Sequence, residues 1–250
     1  MKKFINTLTL LFLLSLLSSC NPEKEYDPLE GTDNLQAGAF SDLPNGRLYL
    51  PRDWNVDDIK KWPVTIVLHG YGELSYSLSS RPIWQSSADD LGIVLFFVEI
   101  GHMGWYETHD SDDSKIIISI MKAFRKTKWV KENSLQLLGF SAGAIMAMGF
   151  NALNKNQSDG KPLFDKFAAI SGGFGTIMER ELKKNSKLKK SVRIPAFVAW
   201  GEKEPSDHGK DAAEYLKKLG WQVETMTHPG GHILVNNLVY ESLLRNSSAK

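Results

Sequence analysis

The sequence predicts an α/β fold, a mostly parallel sheet flanked by helices, and three observations carry that prediction. First, extended runs recur along the chain at 64–68, 93–98, 135–140, 167–170 and 194–200, with 222–227 closing the series. Most are continuously apolar, the mark of strands buried on both faces. Second, helical patterns separate them, and strand–helix alternation favours parallel strands joined by right-handed crossovers. Third, polar and glycine residues gather where the runs end: His69-Gly70, Gly101-His102, Ser141, Gly201-Glu202 and His228. Open α/β sheets place their chemistry at the carboxyl ends of the strands.

The chain starts with Met1-Lys2-Lys3, an apolar stretch from Phe4 to Leu17, and Leu17-Ser18-Ser19-Cys20. A basic start, a short apolar run and small residues before a cleavage point describe an export signal. The run is too short for a transmembrane helix. Leu-Ser-Ser-Cys resembles the lipobox of bacterial lipoproteins, which implies acylation of Cys20, the only cysteine in 250 residues. The expected divisions are a lipoprotein signal over 1–19, a flexible tether over 20–40 containing Pro22, Pro28, Gly31 and Gly38, and one domain over 41–250. The product is an exported lipoprotein, membrane-anchored and facing the periplasm or cell surface. Loss of Lys2 and Lys3 with the leader lowers the formal charge of +1 by two. That near-neutral balance gives no electrostatic case for nucleic acid as a partner. A single cysteine excludes an internal disulfide and a multi-thiolate metal site.

Within the domain, Arg47–Pro51 reads as an additional strand before the first buried one. Residues 112–126 set Ile116, Ile120, Ala123 and Phe124 on one stripe. Residues 211–219 repeat Ala212, Tyr215, Leu216 and Leu219 at helical spacing, and Gly220 supplies the stop. An amphipathic pattern over 233–245 predicts the last helix.

Gly139-Phe140-Ser141-Ala142-Gly143 lies between the run ending at Leu138 and a small, apolar run from Ala144 to Met148. This is G-x-S-x-G in a strand–turn–helix context. A tight turn presents the serine hydroxyl, glycines on either side relieve crowding, and the helix start aims free N–H groups at the reacting centre. A serine nucleophile needs a base, and the base needs an acid to orient it. His232, after the last strand and before the last helix, fits the chain order Ser…acid…His, with His228 as the alternative. The acid falls in the turn after the strand at 194–200, which offers Glu202, Glu204 and Asp207. An oxyanion hole needs two N–H donors, expected from Ala142 and from Tyr71 in the loop after His69-Gly70. His69 precedes the nucleophile and reads as a loop anchor. Trp105 and Tyr106, in a polar glycine-rich loop, are candidate substrate-binding walls. Trp84 and Trp200 read as core.

On these motifs the chain resembles the esterase branch of the α/β-hydrolase superfamily. It is most similar to lidless esterases of the polyhydroxybutyrate depolymerase and feruloyl or acetylxylan esterase type. Leu68-His69-Gly70, residues 88–94, Asp113, Gly139–Gly143, Ala169–Gly172, Gly201–Pro205 and Gly231-His232 carry the resemblance. It implies an α/β-hydrolase fold without a large cap, a Ser141–His232–Glu204 triad and no metal or organic cofactor. Glu204 stands where that family's Gly-x-x-Asp-Pro turn has aspartate, and Asp207 is the reserve. Trp200 replaces a common histidine, and the usual disulfide cysteines are absent. The implied activity is hydrolysis of carboxylic esters through an acyl-enzyme. The implied substrates are acyl or feruloyl esters on plant or other polysaccharide side chains. A serine peptidase of the same fold, or a non-catalytic surface lipoprotein on a hydrolase scaffold, are the alternatives.

Overall fold

The computed structural model describes residues 35–55, 60–99, 112–151, 154, 160–173, 192–204 and 208–247. The expectations for Cys20, Trp105, Tyr106 and Asp207 lie outside them. An eight-stranded sheet organises the described residues. Its strands are β1 (Phe40–Leu43), β2 (Gly46–Tyr49), β3 (Trp62–Leu68), β4 (Val94–Val98), β5 (Val130–Phe140), β6 (Lys166–Ile170), β7 (Ala196–Gly201) and β8 (Val223–His228). The helices are α1 (Ser75–Ser79), α2 (Pro82–Leu91), α3 (Asp112–Lys126), α4 (Ala142–Phe150), α5 (His208–Lys218) and α6 (Asn236–Ser247). Strand order is β1-β2-β4-β3-β5-β6-β7-β8. β1 and β2 join antiparallel at one edge, and all pairings from β4 to β8 are parallel.

Burial explains this arrangement. All seven residues of β3 and all five of β4 are buried, as strands covered on both faces must be. Their alternate side chains feed two cores. Ile66, Leu68, Phe96, Val98, Leu135 and Leu137 pack with Ile117, Phe124, Ala147 and Leu216 on one face. Val67, Leu95, Phe97, Leu138, Ile170 and Ala199 pack with Trp84, Ala88, Leu238 and Leu243 on the other. Trp84 is fully buried and meets Phe97 edge-on at 5.3 Å. Trp200 is half-buried and packs against the first core.

The expected elements are present, with differences that have local causes. The strand expected at Arg47–Pro51 runs over Gly46–Tyr49, and β1 was not anticipated. Four residues, two of them polar and adjacent, give β1 no alternating strand pattern; its pairing with β2 makes it one. Leu35 packs on the core and Phe40 pairs with Tyr49, so residues 35–40, expected in the tether, meet the folded body. The buried stripe of α3 is Ile117, Ile120, Met121 and Phe124, an i, i+3, i+4, i+7 set, and Ile116 and Ala123 flank it. The last helix begins at Asn236 rather than 233.

A buried polar network ties α6 to the centre of the sheet. Thr65 Oγ1 donates to Gln136 Oε1 at 3.0 Å, and Gln136 Nε2 donates to the Ser242 carbonyl at 3.0 Å. Asn246 Nδ2 donates to Thr65 Oγ1 and to the Val64 carbonyl, each at 3.0 Å. Thr65, Gln136, Ser242 and Asn246 are essentially inaccessible to water. Each bond therefore substitutes for hydration that folding removed. Gln136→Leu keeps the volume and leaves the buried Thr65 hydroxyl without its acceptor. Urea denaturation should show a loss of about 1–3 kcal/mol for this variant.

Candidate active site

β5 delivers Ser141 to the carboxyl edge of the sheet, and α4 starts at the next residue. Ser141 has φ +54° and ψ −117°, a strained conformation for any residue bearing a Cβ. Several contacts enforce it. The Ser141 N–H donates to the Ile170 carbonyl of β6 at 2.9 Å, and its carbonyl accepts from Ala144 and Ile145 in the first turn of α4. Gly139 and Gly143 allow the turn to close. A Cβ on Gly139 would strike the Gly143 backbone, and one on Gly143 would strike the Leu68 and His69 carbonyls. Strand, turn and the end of β3 thus meet backbone to backbone.

Ser141 Oγ lies 2.7 Å from His232 Nε2, a hydrogen bond between residues 91 positions apart. His232 sits at the centre of a tight turn closed by the Ile233 N–H on the Gly231 carbonyl at 2.9 Å. Its ring lies against Phe140, centroids 5.7 Å apart, and 45% of its side chain remains exposed. His228 is placed differently. It is buried at the end of β8, where its Nδ1 accepts from the Gly230 N–H at 3.1 Å. This favours His232 over its alternative.

Glu204 Oε2 stands 3.8 Å from His232 Nδ1, within ion-pair range and longer than a hydrogen bond. Only 4% of the Glu204 side chain is exposed, and its Oε1 accepts from the Gly201 N–H at 2.9 Å. Two backbone bonds lace its turn to the histidine loop: Glu202 N–H to the His228 carbonyl at 2.8 Å and Lys203 N–H to the Gly230 carbonyl at 2.9 Å. Glu202 is exposed and accepts from the Thr227 hydroxyl at 3.0 Å. Of Glu202 and Glu204, the two expected acids among the described residues, Glu204 faces the imidazole.

The expected oxyanion donors lie on two segments that meet at Ser141. Ala142 is the first residue of α4, so its N–H has no acceptor inside the helix. A Cβ on Gly70 would stand 3.3 Å from Ser141 Cβ, which sets the loop after β3 beside Ser141. Tyr71 follows at the corner of a turn closed by Glu73 N–H on the Gly70 carbonyl at 3.3 Å. His69 is buried, with Nδ1 2.8 Å from the Gly70 carbonyl, as befits a loop anchor. Sequence reasoning missed what supports this loop. The Ser75 N–H donates to Glu99 Oε2 at 2.6 Å, and Arg81 pairs with Glu73 at 2.9 Å. Neither pair has a sequence signature: Ser75–Glu99 depends on β3 and β4 lying side by side, and Arg81–Glu73 on how the segment between β3 and α2 folds back on itself.

A family model described as serine hydrolase (FSH1) matches residues 84–241, more than half of the chain. The chain belongs to this serine hydrolase family. No curated protein matches it. Among solved structures, it is similar to S-formylglutathione hydrolase (FrmB) from Staphylococcus aureus, with a TM-score of 0.65 and 14% identity over 81% of this chain and 90% of that one. A ferulic acid esterase gives a TM-score of 0.60 at 15% identity over 80% and 89%. Acyl-protein thioesterase 2 from Zea mays gives 0.56 at 18% identity over 81% and 99%. These likenesses establish the α/β-hydrolase fold.

The close approach of Gly143 to β3 yields a test. Gly143→Ala forces the end of β3 away from α4. Thermal unfolding should show a loss of at least about 2 kcal/mol, with activity falling further than stability alone explains.

Proposed function

We propose that this serine hydrolase cleaves carboxylic esters through a Ser141–His232–Glu204 triad and an acyl-enzyme. The 2.7 Å approach of Ser141 Oγ to His232 Nε2 carries the reading. Ser141 Oγ attacks the ester carbonyl carbon while His232 Nε2 takes its proton. The carbonyl oxygen becomes an oxyanion between the N–H groups of Ala142 and Tyr71. Collapse of the tetrahedral intermediate breaks the bond to the alcohol, whose oxygen takes the proton from His232. Water then attacks the acyl-serine, with His232 again accepting and returning a proton, and the carboxylic acid leaves. Glu204 orients the imidazole and stabilises its positive charge. Hydrogen bonds of this kind are often long without substrate and tighten around the transition state. The 3.8 Å separation is compatible with that role.

The substrates proposed are acyl or feruloyl esters carried on carbohydrate. Similarity to a ferulic acid esterase supports the class, and the exposure of His232 suits a substrate too large for a closed pocket. The leader pattern around Cys20 supports a lipid-anchored protein outside the cytoplasm. Among the described residues no helix is long and apolar enough to cross a membrane.

A fluorophosphonate probe should label the protein and fail to label Ser141→Ala; labelling that survives the substitution would place the nucleophile elsewhere. Glu204→Gln should lower kcat by about 10²–10⁴ with little change in KM. p-Nitrophenyl acetate should be cleaved far faster than an aminoacyl anilide, and the reverse preference would assign the site to peptides. In cells, a clickable fatty acid should label the wild-type chain and not Cys20→Ser.

A further inference from the structure

The loop from Tyr71 to Ser79 is inside out. Three of its four polar side chains point inward: Glu73 is 14% exposed, and Ser75 and Ser79 are buried, while Ser77 is exposed. Its large apolar side chains, Leu78 excepted, point into water: Tyr71 is 73% exposed, Leu74 46% and Tyr76 64%. Among the described residues the other large exposed hydrophobic is Ile233. These side chains are not scattered. Tyr71 follows Gly70, which abuts Ser141, and Ile233 follows His232, which is hydrogen-bonded to it. Isolated exposed apolar groups need no explanation, but a cluster flanking a nucleophile marks a binding surface.

The loop is also held rigidly in this inverted arrangement. Glu99, at the end of β4, binds the Ser75 N–H, and Arg81 holds the Glu73 carboxylate. Arg47 of β2 donates to Ser79 Oγ at 2.9 Å and lies over the Tyr76 ring, 4.5 Å from its centroid. The loop therefore starts at the end of β3, beside the nucleophile, and reaches a residue of β2, two strands further along the sheet. With strands about 4.8 Å apart, that is a span of about 10 Å from the end of β3. A short acyl group would leave most of it empty.

We propose that Tyr71, Leu74 and Tyr76 form a shelf for an extended apolar acyl group, alkyl or aromatic, with Ile233 at the opposite rim beside the leaving group. The leaving-group side follows from the chemistry, because His232 protonates the departing oxygen and Ile233 is its neighbour. The inference rests on the esterase reading of Ser141 and narrows its substrate class. The shelf binds the acyl portion through apolar contact, and ordered aromatic rings offer such contact at little entropic cost.

The test uses the full chain and three substrates that share one leaving group: p-nitrophenyl acetate, p-nitrophenyl octanoate and p-nitrophenyl ferulate. The wild type should show a kcat/KM for octanoate or ferulate at least tenfold above that for acetate. The better of the two identifies the shelf's occupant as alkyl or aromatic. Leu74→Ser and Tyr76→Ser should each reduce the ratio of that kcat/KM to the acetate value by about tenfold, the range expected when apolar contact is removed from a specificity surface. An unchanged ratio, or an equal fall for all three substrates, overturns the shelf. So does an unchanged ratio accompanied by weaker binding to phosphatidylglycerol vesicles, which would make the patch a lipid contact. Failure of fluorophosphonate labelling in the wild type overturns the esterase reading itself and is read separately.

Discussion

The backbone of Ser141 is the constraint on which the rest of the site depends. A positive φ at a residue with a Cβ is unfavourable and persists only where surrounding contacts over-determine it. Here they do: a β6 carbonyl holds its N–H, the first turn of α4 holds its carbonyl, and Gly139 and Gly143 permit contacts that no side chain would allow. Because β5 lies at the centre of the sheet, both cores support this turn. The strain is thus offset by the packing of the whole domain, and the hydroxyl is held clear of the strand that carries it.

His232 and Glu204 are positioned by a different means. Both lie on loops at the β7–β8 edge, where a sheet gives less support than at its centre. Backbone bonds from Glu202 and Lys203 to the His228 and Gly230 carbonyls join the two loops. Beyond the histidine loop, the Thr65–Gln136–Ser242–Asn246 network pins α6 to β3 and β5, the strands nearest Ser141. The loop carrying His232 is therefore anchored at both ends. The Glu204 side chain is buried and that of His232 is not, so the carboxylate faces the imidazole through a medium of low polarity while the ring remains half exposed.

The loop after β3 shows the opposite economy of side chains. Its polar groups are spent on holding it to β4 and β2, and its apolar groups are left facing water. That arrangement lowers stability in the free protein and makes sense only for a surface that meets an apolar partner. Placed next to Ser141, it links the shape of the scaffold to the choice of substrate.

The sequence by itself determined the alternation of buried strands with helices, the tight Gly139–Gly143 turn that presents Ser141, and the short set of histidines and acids that could meet it. These are legible because they are local. Continuous apolar runs reveal buried strands, helical spacing reveals packed faces, and the glycines of Gly139–Gly143 reveal a turn that excludes side chains. Only the tertiary structure decided that His232 and not His228 meets Ser141, that Glu204 and not Glu202 faces the imidazole, and that Phe40–Leu43 is a strand. It alone brought out Glu99, Arg81 and the exposed row from Tyr71 to Tyr76. Each of these depends on which segments lie side by side, and that is set by sheet pairing between residues distant in the chain rather than by any pattern along it.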